Sequence, residues 1–208
     1  MNKSLLFRFA AAVLLTLAGA AVSATEPAAQ WTGVRRDAAP VTWAELDHAG
    51  WIADGRDDAP RKVYVFTDAN CPYCTRFWSD ARPWVDSGQV QLRHLLVAVI
   101  APSSAGKAAT LMLDPDPAKR LADYERAHAF SVARMMAGGP RHPLADASLP
   151  VRTPLPEAVA RTLIAHDQLM QRLSLSGTPG LVFLAPDGML TARVGVPPDE
   201  LERVLGPR

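Results

Sequence analysis

A Cys-Pro-Tyr-Cys run at positions 71–74 constrains this chain more than any other feature, because it directly follows an apolar, strand-like segment. It holds the only two cysteines among 208 residues. Two intervening residues place both sulfurs on the first turn of a helix, where free backbone N–H groups and the helix dipole favour a thiolate. Pro72 suits the first helical position, since its missing N–H costs nothing there. A thiolate attacks disulfides far faster than a thiol, and a second cysteine within reach resolves the mixed disulfide, so the run predicts dithiol redox chemistry.

Three other uses of the cysteine pair fit the sequence less well. A structural disulfide closing so small a loop would remove little chain entropy and stabilise poorly. A structural zinc site needs about four ligands, but the sequence has no second cysteine pair. Covalent haem attachment requires His after the second cysteine, where Thr75 stands. We therefore expect a redox site without a metal or cofactor.

The N-terminus is typical of an export signal. Lys3 and Arg8 precede an apolar stretch at positions 10–22, and small residues follow at 22–24. The apolar stretch is short for a membrane span, so we predict a cleaved signal peptide at 1–24 and a periplasmic mature protein. The signal contains two of the 22 basic residues and none of the 21 acidic ones, which leaves a mature formal charge of −1. No basic cluster suggests a nucleic-acid partner.

Hydrophobic patterning predicts the element order. A capping box of Thr42 and Glu45 begins a short helix that we expect to reach about Gly50. An apolar strand at 63–66 leads into the cysteine helix, which Pro83 should interrupt, and a second strand is expected at 90–100. Helical patterns then cover 107–113, 117–136 and 155–173. A hairpin of strands at 181–184 and 190–194 and a closing helix at 198–205 complete the chain.

This β-α-β, helices, β-β-α order predicts an α/β thioredoxin fold with a helical insertion at about 104–173. We expect a lead segment with a short linker helix at 25–60 and a catalytic domain at 61–208. Thr178 and Pro179 stand just before the hairpin. In the thioredoxin fold, which this order resembles, a cis-proline at that point lies against the cysteines. A cis Thr178–Pro179 bond would leave the Thr178 backbone free to pair with an extended substrate, so we assign both residues to substrate binding.

The core segment also resembles a particular family, the DsbC/DsbG thiol:disulfide interchange proteins, and most closely its DsbG branch. The matching residues are those at 63–68, the Cys-Pro-Tyr-Cys run, and those at 77–78 and 81–88. The resemblance implies a periplasmic reductase or isomerase acting on protein disulfides or cysteines oxidised to sulfenic acid. It also implies a membrane electron donor of the DsbD type. Only residues 25–62 lie between the predicted cleavage site and the first core strand, so we expect a monomer without the family's N-terminal dimerisation domain.

Within this hypothesis Cys71 attacks, Cys74 resolves, and Pro72 and Tyr73 tune the pair. We expect Cys71 to be the exposed thiol of low pKa and Cys74 the shielded one. Two alternatives remain open: a DsbA-like dithiol oxidase, and a periplasmic chaperone in which the dithiol is incidental. Glutaredoxins also carry this run, but they are usually shorter and cytosolic.

Overall fold

The computed structural model describes residues 40–139 and 149–208. Its helices and strands follow the predicted order, with one strand that the sequence analysis missed. They are α1 Trp43–Asp47, β1 Ile52–Asp54, β2 Arg61–Thr67, α2 Pro72–Asp80, α3 Arg82–Asp86, β3 Val90–Leu96, α4 Ser104–Met112, α5 Pro117–Met136, α6 Glu157–Arg172, β4 Gly180–Leu184, β5 Leu190–Val194 and, after a 3₁₀ turn at Pro198–Glu200, α7 Leu201–Leu205. The predicted signal peptide lies outside the described residues. Among the residues described, no helix has the length and apolar character needed to cross a membrane.

The five strands form one sheet in the order β1-β3-β2-β4-β5. Strands β2 and β3 are parallel, whereas the other neighbouring pairs are antiparallel. The central strand β2 is buried on both faces: Val63 and Val65 pack in one core cluster, and Tyr64 and Phe66 pack in another. Such double burial explains why its sequence is a continuous apolar run and not an alternating one. The fold is the predicted thioredoxin fold, with α4, α5 and α6 inserted between its two halves.

The first cluster lies between the sheet and the helices α2, α3 and α7, and the second lies between the sheet and the helices α1 and α6. A third cluster joins the inserted helices to the edge of the sheet. Its members come mainly from α4, α5 and α6, with Ile52 of β1 and Leu96 of β3. The insertion is therefore packed on the core of the domain, next to the helix that carries the cysteines.

Two predicted boundaries were wrong for physical reasons that the structure shows. Helix α1 ends at Asp47, and the chain then turns through Gly50, whose φ of 79° favours glycine. Strand β3 ends at Leu96 and not at Ile100. The backbone N–H groups of Val99 and Ile100 instead donate to the Asp68 carboxylate at 2.7 and 2.9 Å, which turns the chain away from the sheet. The predicted break at Pro83 is confirmed, because a new helix, α3, begins at Arg82.

Candidate active site

The loop between β2 and α2 is held rigidly by hydrogen bonds before the first cysteine. The buried Asp68 carboxylate also accepts from the Asn70 backbone N–H and the Ser104 hydroxyl, both at 2.8 Å. The Cys71 backbone N–H donates to the Asp68 carbonyl at 2.9 Å. The Tyr124 hydroxyl of the inserted helix α5 donates to the Ala69 carbonyl. These contacts fix the point at which the chain enters helix α2.

Cys71 is the N-cap residue of helix α2, and Pro72 is its first residue, as the sequence predicts. The backbone N–H of Cys74 donates to the Cys71 carbonyl at 3.1 Å and closes the first turn. Both cysteines are free thiols. Their side chains therefore share one helical turn at its N-terminal end, where backbone donors face outward.

The second predicted half of the site lies against the first cysteine. The Thr178–Pro179 bond is cis, and the Cys71 thiol is 3.3 Å from the Thr178 carbonyl oxygen, to which it donates. Pairing of β4 with β2 brings these residues together, since Gly180 lies opposite Phe66 in the register. The structure thus brings together four of the six site residues that the sequence singles out: Cys71, Cys74, Thr178 and Pro179.

The remaining two predicted site residues flank the sulfurs on the helix. Tyr73 projects its ring toward solvent and is 62% exposed. Pro72 is half-buried at the start of the helix. An exposed aromatic ring directly beside a redox pair offers a contact for an incoming polypeptide.

The two thiols have opposite electrostatic environments. A hydrogen bond from the Cys74 thiol is the largest effect on Cys71 and lowers its pKa to about 7, despite opposition from burial. The Thr178 side chain and the backbone N–H groups of Cys74 and Tyr73 lower this pKa further. The Thr178 hydroxyl makes no hydrogen bond in the protonated site, so it is available to donate to the thiolate. Burial raises the pKa of Cys74 well above its usual 9.0, and the hydrogen bond to Cys71 adds to the effect.

The expectation that Cys71 is exposed was wrong. Its exposed fraction is 2%, against 3% for Cys74. The loop that carries Thr178 and Pro179 lies over the Cys71 sulfur, and that long-range contact hides it from solvent. The two thiols therefore differ in pKa and in hydrogen bonding, not in access to water.

Three acidic residues near the cysteine helix were not predicted from the sequence: Asp68 and Glu125, which are buried, and Asp54, which is partly buried. Glu125 of helix α5 is 1% exposed, and its pKa is raised to about 7, chiefly by burial. The spacing of residues in the sequence indicates that Glu125 is buried. The buried residues Leu121, Glu125, His128 and Val132 recur at intervals of four, three and four, which places the carboxyl group on the apolar stripe of an amphipathic helix.

Asp54 at the end of β1 forms a forked ion pair with Arg82 of α3, in which the Arg82 Nη1 to Asp54 Oδ1 distance is 3.1 Å. The ring of His94 lies 3.6 Å from the same carboxylate. Burial acts to raise the pKa of Asp54, but His94 and Arg82 together lower it to about 2. The ion pair ties the edge strand to the helix that continues the cysteine helix.

Comparison with known proteins shows the family of this chain. The sequence pattern of the thioredoxin-like domain family matches residues 53–206, about three quarters of the chain. The chain belongs to the thioredoxin-like family. It is 42% identical over 167 residues to the thiol:disulfide interchange protein DsbG of Pseudomonas aeruginosa and 36% identical over 163 residues to DsbG of Escherichia coli. The alignments cover 80% and 78% of this chain and 59% of each relative.

These matches confirm the resemblance to the DsbC/DsbG proteins. The chain spans less than two thirds of the length of its two DsbG relatives. A solved structure of a periplasmic thioredoxin-like protein from Salmonella enterica superimposes with a TM-score of 0.57 at 20% identity. That superposition covers 80% of this chain and 97% of the other. At this identity the structural likeness supports the fold alone.

Proposed function

We propose that this chain is an exported protein thiol:disulfide oxidoreductase of the reductase or isomerase type, with Cys71 as the nucleophile and Cys74 as the resolving thiol. The observation that carries the proposal is the asymmetry of the pair. With a pKa of about 7, Cys71 is half ionised at neutral pH, while Cys74 stays protonated beside it. A redox dithiol requires one activated thiolate and one thiol held in reserve.

The reaction is two successive exchanges. The Cys71 thiolate attacks one sulfur of a substrate disulfide, the substrate S–S bond breaks, and the first substrate thiolate leaves with its electron pair. Cys74 then loses its proton and attacks Cys71, which releases the second substrate thiolate and leaves a Cys71–Cys74 disulfide. Two electrons pass to the substrate. With a sulfenic acid as substrate, the first leaving group is hydroxide, which departs as water after protonation.

The surroundings of the sulfurs suit a polypeptide substrate. The Thr178 backbone lies at the Cys71 sulfur, at the start of strand β4, where an extended chain can pair with it. Tyr73 is exposed beside the pair, and Val99 and Ile100 are about half exposed next to Asp68. A polar backbone surrounded by apolar side chains fits unfolded protein segments better than a small charged thiol.

The deciding experiment is reduction of a protein disulfide by the purified mature chain, with dithiothreitol as electron source. The wild type should accelerate the reaction, Cys71→Ser should abolish the acceleration, and Cys74→Ala should accumulate mixed disulfides. Ser79→Ala, on the same helix away from the sulfurs, is the matched control and should behave as the wild type does. A Cys71→Ser variant with full biological activity would contradict the proposal and favour a chaperone with an incidental dithiol.

Direction and location need separate measurements. A strongly oxidising DsbA-like protein has a reduction potential near about −120 mV, whereas an isomerase-like protein lies lower, near about −180 mV or below. Equilibration with glutathione measures this potential and so distinguishes the two classes of protein.

Recycling of the oxidised chain by a membrane donor of the DsbD type is tested with the reconstituted donor. N-terminal sequencing of the exported protein should give a mature chain beginning near Thr25, and sedimentation at micromolar concentration tests the expected monomer.

A further inference from the structure

The ring of His166, in helix α6, is wholly buried, and each of its two nitrogens meets a backbone carbonyl oxygen. Nδ1 lies 2.7 Å from the oxygen of Leu96, at the end of strand β3. Nε2 lies 2.7 Å from the oxygen of Ala49, in the turn between α1 and β1. One side chain of the insertion thus joins two parts of the domain that are far from it in the sequence.

The number of hydrogen bonds at this point depends on the number of protons on the ring. A carbonyl oxygen can only accept, and a neutral imidazole has one N–H group and one lone pair. Only the doubly protonated ring of His166 donates to both oxygens. The neutral ring turns a lone pair toward one of them, at a distance where two acceptors repel each other. Histidine is also the side chain that ordinarily changes charge between pH 5 and 8.

The two carbonyl groups differ in what can replace the ring as a donor. Leu96 is paired with Thr67 in the parallel ladder, and its contact with His166 is buried. The next backbone N–H, that of Val97, donates to the Thr67 carbonyl at 2.9 Å and fixes this end of the strand. Ala49 belongs to no helix or strand, it is half-buried, and it precedes the turn at Gly50. Water can therefore reach the Ala49 carbonyl if the ring lets it go, so the neutral ring should keep its proton on Nδ1 and release Ala49.

No ion pair fixes the charge of this ring. The ionisable side chains of α6 and of the elements around it have other partners in the part of the chain that the structure describes, and none of them forms an ion pair with His166. These contacts are Glu45 of α1 with Arg172 of α6, Asp47 of α1 with Arg93 of β3 and the Tyr64 hydroxyl of β2, Glu157 with Arg161 and Asp167 with Gln171 within α6, Lys107 of α4 with Asn70, His94 of β3 with Thr67 and Asp54, and the exposed His48 with the Ala44 carbonyl. The two carbonyl groups are thus the polar partners of the ring, and its proton can come and go without breaking an ion pair.

We propose that His166 is a pH-sensitive clasp between the inserted helix α6 and the turn that follows α1. With two protons the ring holds Leu96 and Ala49 at once. When the ring loses the Nε2 proton, the Ala49 carbonyl is released to solvent, while the bond to Leu96 stays. Acid therefore tightens the attachment of α1 to the catalytic domain, and alkaline conditions loosen it.

The first test follows the wild-type chain by NMR between pH 5 and 9. The ¹⁵N signals of the His166 ring should show two protons at the acid end and one, on Nδ1, at the alkaline end. The Ala49 backbone N–H donates to the Leu46 carbonyl within the same turn and is the reporter. Its protection factor against hydrogen exchange should fall about tenfold as the ring titrates, the equilibrium factor for one hydrogen bond to a charged group. The protection factor of Gly88, which closes a separate turn onto Val85, should not change. A ring with the same number of protons from pH 5 to 9, or an Ala49 amide that does not follow the ring, would overturn the proposal.

The second test uses a pair of variants that separate two histidines near the turn. His166→Asn keeps an amide donor that does not titrate, so the protection of Ala49 should no longer depend on pH. His48→Asn is the matched control, because this exposed histidine directly precedes Ala49, and the variant should retain the wild-type pH dependence. The reverse result, in which the dependence disappears with His48 and survives without His166, would assign the effect to the exposed ring and contradict the clasp. Neither test involves disulfide exchange, so their outcome is independent of the proposed function.

Discussion

Replacing Cys74 by Ala tests the origin of the Cys71 thiolate. The hydrogen bond from Cys74 is the largest effect that lowers the pKa of Cys71 from its ordinary 9.0 to about 7. Cys74→Ala removes this donor but leaves the helix N-terminus and Thr178 in place. The pKa of Cys71 should therefore rise, with a full return to 9.0 as the upper limit.

The magnitude follows from the ionised fraction and the intrinsic reactivity. At pH 7 the thiolate fraction would fall from about one half to no less than about 1%, a loss of up to about 50-fold. A more basic thiolate is also a better nucleophile, with a Brønsted slope of about 0.4–0.5, which returns about sixfold to tenfold over two pKa units. Alkylation at pH 7 should thus slow by up to about eightfold, while the midpoint of its pH profile moves upward by as much as about two units.

The assay is the rate of iodoacetamide alkylation of the reduced protein between pH 5 and 10, with mass spectrometry to assign the labelled residue. Cys74→Ser is the matched control, because its hydroxyl still donates to the thiolate, and its midpoint should lie between those of the wild type and Cys74→Ala. Cys71→Ser should have no thiol that titrates below pH 9, since the pKa of Cys74 is raised. An unchanged midpoint near pH 7 in Cys74→Ala would refute the reasoning and assign the thiolate to the helix terminus and Thr178 alone.

Three further predictions concern stability and are checked by chemical denaturation. The folded-state pKa of Glu125 is about 7 against an ordinary 4.5, so the reduced wild type loses stability as pH rises through this interval. Between pH 4 and 8 the free energy of unfolding of Glu125→Gln should therefore rise by about 3 kcal/mol relative to that of the wild type. The pKa of Asp54 is lowered from 3.8 to about 2 beside Arg82, so its contribution is present above pH 4 and lost as pH falls through 2; Asp54→Asn should cost about 2.5 kcal/mol at pH 7 and nothing at pH 1.5. Leu92→Ala, at a wholly buried position, should cost about 3 kcal/mol, whereas Leu113→Ala, at a position 43% exposed, should be close to neutral.

Local physical chemistry explains why so much of the fold was predictable. The apolar run at β2 is long enough to mark a doubly buried strand, and the helix that follows begins at a cysteine with proline in the position that tolerates it. Helix α5 was predicted with its observed bounds, Pro117–Met136. In the structure Asp116 caps it and accepts from the Lys119 backbone N–H at 3.0 Å. In each case the determinant lies within a few residues of the element itself.

Strand β1 shows where local information ends. Its three residues, Ile52–Asp54, are too few for a periodic pattern, and the strand exists because it pairs with β3 and is tied to α3 through Arg82. The end of β3 was set in the same way, by a carboxylate that lies some thirty residues earlier in the chain. Both features depend on partners that the chain brings near only after it has folded.

The same division applies to the candidate site. The sequence by itself determined the two cysteines and their place at a helix N-terminus, because motif spacing and element order are properties of the chain. The placement of the Thr178–Pro179 segment against that helix came from the resemblance of this element order to the thioredoxin fold. Only the tertiary structure decided that this segment hides Cys71 from solvent and that Glu125 is buried beside Thr75 of the cysteine helix. The apolar stripe of α5 indicates that a carboxyl group on it is buried, but it does not indicate which helix that carboxyl group contacts. Packing between distant elements fixes those neighbours, and the neighbours fix the pKa values on which the chemistry depends.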